Sequence, residues 1–278
     1  MRIYKALGLE EEIISQGQVL NEQKALNKSG KKMGSVDLKS FSERNFGGVP
    51  FVCIREELLV SKLSSLLQRE GSNMHKGATL VKRQEQGVLS YFSDGRTKRS
   101  DLFVVADGSE SELRKVLMPE TERSWKVRVT GYEYWSAFLP RPQGLEAKYV
   151  EMWGPNKRLW LVDCGGGLLH VSGTVQNTSF QMDKMNLPGL RELKRFHSVF
   201  SPSFTGEEVE KVFEFCARNP EYKAVNISYP STRITSADMP PTDFAQDGVV
   251  LIGDAAHSLY TPYGFVTIFF RSLFFFHA

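Results

Sequence analysis

The apolar positions of the first 17 residues recur at helical spacing. In MRIYKALGLEEEIISQG, Ile3, Leu7, Ile13 and Ile14 carry one side of a short amphipathic helix, and Gly17 is its stop. Residues 55–69 (REELLVSKLSSLLQR) place Leu58, Leu59, Leu63, Leu66 and Leu67 on a second helical stripe. The runs ATLVKR and GVLSYFSDG then read as strands, with turn chemistry at Asp94 and Gly95. DLFVVADG is a continuous apolar run, the pattern of a strand buried on both faces, and it ends in Asp107 and Gly108. ESELRKVL begins a helix that Ser111 or Ser109 would cap.

From Trp125 to Gln176 the pattern becomes that of an antiparallel sheet. WKVRVTGYEYWSAFL, AKYVEMWG, RLWLVDC and GLLHVSGTV are punctuated by glycine and proline. Residues 188–218 read as helices, with EEVEKVFEFCAR the clearest. A buried strand returns in DGVVLIGDAAH and turns sharply into a helix. The fold class expected is α/β, with a mostly antiparallel β-sheet domain inserted into an α/β domain. The expected boundaries are 1–124 and 238–264 for the outer domain and 125–237 for the insert, followed by a hydrophobic tail at 265–278. That tail, FVTIFFRSLFFFHA, is shorter than the roughly 20 residues that span a bilayer. It reads as a buried strand, an interfacial tail or, the favoured reading, sequence foreign to the fold.

Composition narrows the partners. Charged residues make up 24% of the 278 and the net charge is +3, too small to call for nucleic acid or a charged membrane surface. Lys28, Lys31 and Lys32 beside Gly30 read as a solvated turn. Cys53, Cys164 and Cys216 lie far apart and form no CxxC, which fits isolated buried thiols and a cytoplasmic location. The histidines share no helical spacing with a carboxylate motif, so no metal is expected. No signal peptide is visible at Met1, and the Asn-x-Ser matches at Asn27, Asn177 and Asn226 are treated as chance.

The strongest chemical signal is Gly253-Asp254-Ala255-Ala256-His257 after the strand VVLI. Small residues at a strand-to-helix turn let backbone approach a ligand. Backbone N–H groups at a helix start favour phosphate, and an aspartate accepts hydrogen bonds from sugar-like hydroxyls. A capped helix with Asp254 as its cap is the bland reading. GDAAH, with Pro262 and Gly264 after it, resembles the GD motif of class A FAD-dependent monooxygenases of the p-hydroxybenzoate hydroxylase type. Ala106, Asp107, Gly108, Ser111 and Arg114 match the family's ADGxxSxxR motif, and Arg55 before Leu58 matches its helix-opening arginine. The resemblance covers nearly all of residues 1–264.

The resemblance implies an FAD-binding Rossmann-like domain carrying an inserted substrate domain. It implies a flavoprotein that uses NAD(P)H and O2 to insert one oxygen atom into an aromatic or similar small organic substrate. Asp254 would bond the ribityl hydroxyls of FAD, and Arg55 would reach the ribityl or pyrophosphate region. Asp107 and Gly108 would shape the site near FAD and the passing nicotinamide, with Arg114 anchoring their turn. Gly253, Ala255, Ala256 and Gly264 would let backbone approach the cofactor. Pro262 would lie beside the isoalloxazine ring, and His257 would orient backbone. Tyr132, Tyr134 and Trp135 are candidate substrate contacts, although core packing is the favoured reading of their alternation. No membrane partner is expected, and the oligomeric state is left open.

The sequence departs from the family pattern at both ends. It contains no GxGxxG run, and the Phe-rich tail stands where the family has a glycine-rich turn and a long helix. A chain truncated at both ends with impaired FAD binding is therefore expected. A noncatalytic, partner-binding remnant is the competing reading. A flavin halogenase or reductase ranks last.

Overall fold

The computed structural model describes residues 2–71, 78–83, 87–108, 111–128, 132–176, 189–220, 222–229, 232–235 and 244–256. They form two compact units, one of residues 1–70 and 131–229, the other of 71–130 and 230–278.

The first unit is built on an eight-stranded sheet. Its order is Gly189–Glu192, Lys223–Tyr229, Tyr132–Pro140, Leu168–Gln176, Lys157–Asp163, Lys148–Gly154, Glu22–Asn27, Lys32–Asp37. Every neighbouring pair is antiparallel except Lys148–Gly154 with Glu22–Asn27, which run parallel. The period of two puts Trp135, Ala137, Leu139, Val150, Met152, Leu159, Leu161, Leu169 and Val171 on one buried face. Two helices cover it. Leu193–Phe200 contributes Leu193, Phe196 and Phe200, and Glu207–Arg218 contributes Val209, Val212, Phe213 and Cys216. Each of these large side chains stabilises the unit by about 1.5–3 kcal/mol on burial. The Trp135 and Phe196 rings meet edge-on with centroids 6.4 Å apart. Lys157 spans the two layers, its Nζ donating to the Val199 carbonyl and to Ser203 Oγ.

Local chemistry fixes the remaining elements of this unit. Asn27 Oδ1 accepts from the Ser29 and Lys31 N–H groups, both at 2.9 Å, and closes the hairpin turn. Lys28, Lys31 and Lys32 are exposed there, as expected. Asp37 caps the helix Leu38–Phe46 by accepting from the Ser40 N–H, and that bond holds its carboxyl below the usual carboxylate range. Gly47 ends the helix in the left-handed region, φ 66°. The single helix expected at the start is two, Arg2–Ala6 and Glu10–Gln16. Gly8 between them has φ 69°, a conformation a right-handed helix cannot pass through. The break buries Leu9 and Ile13 and leaves Ile3 and Leu7 exposed. The helix Glu56–Arg69 forms as expected, but its leucine stripe is half-buried at best.

The second unit contains a three-stranded sheet with Val249–Leu251 between Ala245–Gln246 and Phe103–Val105. Ala78–Arg83, Val88–Phe92 and Thr97–Ser100 form a separate meander, and Trp125–Arg128 pairs with Thr232–Thr235. Its core gathers Val88, Val105, Leu117, Met118, Val249, Leu251, Ala255 and Ala256. The strand expected to be buried on both faces is buried on one. Val105 is inaccessible, but Val104, on the opposite side of the pleat, is 48% exposed.

The compact units cut the chain at 70/71, 130/131 and 229/230, whereas the sequence reading cuts it at 124/125, 237/238 and 264/265. The largest difference has a simple cause. Glu22–Asn27 pairs with Lys148–Gly154, so residues near the start join the big sheet. Two expectations change. Residues 189–192, expected helical, are an edge strand. Cys53 and Cys164 are not isolated, since their sulfurs lie 3.3 Å apart. Among the described residues no helix is long and apolar enough to cross a membrane.

Candidate cofactor and substrate site

Phe103–Val105 and Val249–Leu251 are parallel neighbours, with Phe103 opposite Val249 and Val105 opposite Leu251. One more bond, from the Ile252 N–H to the Val105 carbonyl at 2.9 Å, carries the pairing to the strand ends. Both strands therefore leave the sheet at the same edge. Ala106-Asp107-Gly108 and Gly253-Asp254-Ala255-Ala256 emerge there side by side, 145 residues apart in sequence as counted from Gly108 to Gly253. The carboxyl ends of parallel strands are where open α/β sheets receive ligands.

Each turn is held by its own polar groups. Asp107 Oδ2 accepts from the Leu113 N–H at 3.2 Å, and Ser111 Oγ accepts from the Arg114 N–H at 2.9 Å. Together they cap the helix Glu112–Leu117, so Ser111 is the cap and Ser109 lies outside the described residues. Gly108 and Gly253 have φ of 90° and 57°, and a Cβ at either would meet nothing within 4 Å. Backbone at both turns therefore faces open space, which only glycine keeps clear without strain. Residues Gly253–Ala255 form one 3-10 turn. Ala255 and Ala256 are buried whole in the core. Asp254 is half-buried.

Arg114 ties the two turns together from within. It is fully buried. Its Nε donates to Glu122 Oε2 at 2.6 Å and its Nη1 to the Ala255 carbonyl at 2.7 Å. The guanidinium thus anchors the Gly253–Ala255 turn to the helix Glu112–Leu117. Its part is positioning. Arg55 belongs to the first unit, where it is the N-cap residue of Glu56–Arg69, and its carbonyl accepts from the Leu58 and Leu59 N–H groups. His257, Pro262 and Gly264 lie outside the described residues.

In the first unit, the sheet face opposite the two helices is polar. Cross-strand register sets Ser136 beside Ser172, Phe138 beside His170, and Tyr134 beside Thr174. It continues through Glu151 beside Trp160 and Trp153 beside Arg158. Ser136 Oγ and His170 Nε2 are 2.8 Å apart, and the Phe138 and His170 rings lie 5.0 Å apart. Burial pushes His170 down to about 4, so it is neutral near pH 7. Burial also pushes the Tyr134 and Tyr149 hydroxyls up, which keeps both protonated as donors. The Glu151 carboxyl is raised by burial, against the opposing pull of Arg158, whose Nη1 is 3.5 Å from Glu151 Oε1. The Arg158 guanidinium stacks over Trp153, 3.9 Å from the ring centroid.

This face divides the aromatic candidates. Trp135 points the other way and packs in the core, as favoured. Tyr134 stands on the polar face, and the Tyr132 side chain is outside the described residues. Glu151, Arg158, Ser136, His170 and Ser172 went unnoticed in the sequence. The signal for them is the polar residue at every second position of strands whose alternate positions are apolar.

No protein-family model matches the sequence. Among curated proteins, the chain is 26% identical over 271 residues to aurachin C monooxygenase/isomerase of Stigmatella aurantiaca, covering 94% of this chain and 63% of that one. It is 26% identical over 235 residues to FAD-dependent urate hydroxylase of Klebsiella pneumoniae, covering 83% of this chain and 56% of that one. The fold matches the crystal structure of Klebsiella pneumoniae HpxO complexed with FAD and uric acid. The TM-score is 0.69 at 21% identity, over 92% of this chain and 62% of the other. The architecture is thus that of FAD-dependent monooxygenases. In sequence and fold the chain resembles their class A, p-hydroxybenzoate hydroxylase-like members, and it spans less than two thirds of the length of these relatives.

Proposed function

We propose that the chain carries part of the cofactor site and the substrate-facing sheet of an FAD- and NAD(P)H-dependent monooxygenase that inserts one oxygen atom from O2 into a small, planar organic substrate. The observation that carries this reading is the pairing of the Asp107-Gly108 and Gly253-Asp254 turns at the carboxyl ends of two parallel strands.

These residues fit part of a flavin nucleotide. Open space at Gly108 and Gly253 lets a flat or extended group lie against backbone, where a Cβ would intrude. The Asp254 carboxylate accepts hydrogen bonds and suits the hydroxyls of a ribityl chain. When bound, FAD supplies the redox centre between NAD(P)H and O2.

The protein's own groups bind, orient and exclude water. On the polar sheet face, the protonated Tyr134 hydroxyl, neutral His170 and the Ser136 and Ser172 hydroxyls offer donors and acceptors without net charge. Such a set suits a neutral aromatic or heteroaromatic ring bearing hydroxyl, keto or ring N–H groups.

The test is the visible absorbance of the purified 278-residue chain titrated with FAD and then desalted. Flavin bands displaced from their free-FAD positions during titration, and displaced less with Asp254→Ala, support the reading. The family's GxGxxG phosphate cradle does not occur in this sequence, so most of the flavin is expected to wash off. No flavin binding at any FAD concentration would sink the cofactor site and favour a noncatalytic, partner-binding role.

A further inference from the structure

We propose that Cys53 and Cys164 form an oxidative modification site, a thiol pair that a peroxide converts into an intramolecular disulfide joining the Arg55 segment to the end of the Lys157–Asp163 strand. The two sulfurs are 3.3 Å apart although 111 residues separate them in sequence. A disulfide bond is about 2 Å long, so side-chain rotation with a small backbone adjustment closes the gap.

Both sides of the pair are fixed by structure that owes nothing to the cysteines. Cys53 ends the strand Val52–Cys53, which pairs with Gln18–Val19, Cys53 lying opposite Gln18. Cys164 follows Asp163, a fully buried carboxylate whose Oδ2 accepts from Arg141 Nη1 and from the Ala147 N–H, both at 2.7 Å. Asp163 Oδ1 accepts from the Gly165 N–H at 3.0 Å, and the Cys164 N–H bonds the Leu168 carbonyl. Gly165, at φ 75°, packs its backbone near the Gln18 side chain, so the turn behind Cys164 abuts the strand that pairs with Cys53. The sulfurs therefore meet because two independently held segments meet.

The chemistry is asymmetric. Hydrogen bonding from Cys53 favours negative charge on Cys164, and the Arg55 cation adds to this, against burial and the neighbouring Asp163 carboxylate. The Cys53 thiol is pushed up by its bond to Cys164 and by burial. Cys164 is the nucleophile towards a peroxide. Its sulfur attacks one oxygen of hydrogen peroxide, the O–O bond breaks, and Cys164 becomes a sulfenic acid as water leaves. The Cys53 sulfur then displaces that hydroxyl as a second water, losing its own proton and forming the S–S bond. Two thiols give up two electrons and two protons, and one peroxide becomes two waters. Cys53 is half-buried and gives the oxidant a route, while Cys216 is fully buried in the core and serves as an internal control.

The experiment exposes the folded 278-residue chain to a small molar excess of hydrogen peroxide, quenches, unfolds and alkylates it. Thiols are counted and non-reduced peptides mapped by mass. Free thiols are expected to fall from three to one, with Cys216 alkylated and a 53–164 linked peptide that a thiol reductant releases. Cys216→Ser is expected to give the same linked peptide and no free thiol. Chain unfolded in urea before oxidation is expected to show no preference for the 53–164 link. Three alkylated thiols after treatment would overturn the proposal. So would a link through Cys216, or over-oxidation at Cys53 or Cys164 without a link.

Discussion

Arg114 Nη1 reaches the carbonyl oxygen of Ala255 at 2.7 Å, although 141 residues separate them. The same guanidinium holds Glu122 through Nε, and none of it is exposed. One buried cation therefore sets the distance between the helix Glu112–Leu117 and the 3-10 turn of Asp254. Removing it strands a carboxylate and a carbonyl inside the unit. Arg114→Ala is expected to cost about 3–5 kcal/mol, read as a large fall in the denaturant midpoint. Arg114→Lys keeps the charge but cannot serve Glu122 and Ala255 in two directions, so only partial recovery is expected. Equal stability of Arg114→Ala and the parent chain would contradict this role.

How much of this arrangement is legible in the sequence depends on the range of the contact. A serine cap at 111 or 109, the Asp94-Gly95 turn and the Asp107-Gly108 and Gly253-Asp254 motifs are local, and residue type alone announces them, the structure choosing Ser111. The doubly buried look of DLFVVADG misleads, because a short apolar run does not reveal which of its faces is covered. The parallel pairing of Glu22–Asn27 with Lys148–Gly154 and the meeting of Cys53 with Cys164 leave no local trace. They depend on how distant segments stack, which spacing along the chain does not encode. The break at Gly8 is intermediate. A glycine inside a helical pattern hints at it, but the need to bury Leu9 and Ile13 decides it.

Gly173 is expected to tolerate no side chain. A Cβ there would lie 2.6 Å from two carbons of the Phe200 ring and 3.0 Å from the Arg158 carbonyl. Phe200 cannot simply retreat, since it is fully buried and its ring lies tilted against Phe196 with centroids 4.6 Å apart. Gly173→Ala is expected to cost about 1–3 kcal/mol through overpacking, despite the gain in strand propensity. Adding Phe200→Leu removes the obstructing ring atoms. The double variant should therefore be less destabilised than the sum of the two single ones, measured by thermal unfolding. Strict additivity would mean the contact is relieved elsewhere.

Glu151 and Arg158 give a pH signature of one sign. Burial raises the Glu151 carboxyl, so the folded state holds its proton more tightly than the unfolded chain. Stability from this group is full below the ordinary glutamate range and falls as pH rises through the raised value. Arg158 opposes the shift, so Arg158→Gln is expected to deepen that loss and extend it to higher pH. Combining it with Glu151→Gln removes the titrating group and should abolish the extra loss that Arg158→Gln adds between pH 5 and 8. Denaturant midpoints across that range check it. A profile for Arg158→Gln parallel to that of the parent chain would show that the pair is not coupled.

His170 produces the opposite slope at lower pH. Its ring sits on the polar sheet face against Phe138, with Nε2 2.8 Å from Ser136 Oγ, and burial lowers it to about 4. The unfolded chain binds a proton at this residue near pH 6.5, while the folded chain stays neutral until about 4. Over that window the unfolded state holds more protons, so stability falls as pH falls and levels off below the folded value. The loss is on the order of a few kcal/mol, because each unit of separation is worth about 1.4 kcal/mol. His170→Gln keeps a hydrogen-bonding side chain beside Ser136 and removes the titration. Comparing the two chains between pH 4 and 6.5 isolates His170 from the carboxylates common to both. The variant is expected to lose less stability on acidification, so the two stability curves converge or cross as pH drops. A constant gap between them across the window would mean that His170 is solvated enough to protonate in place, and the neutral character assigned to the polar face would go with it.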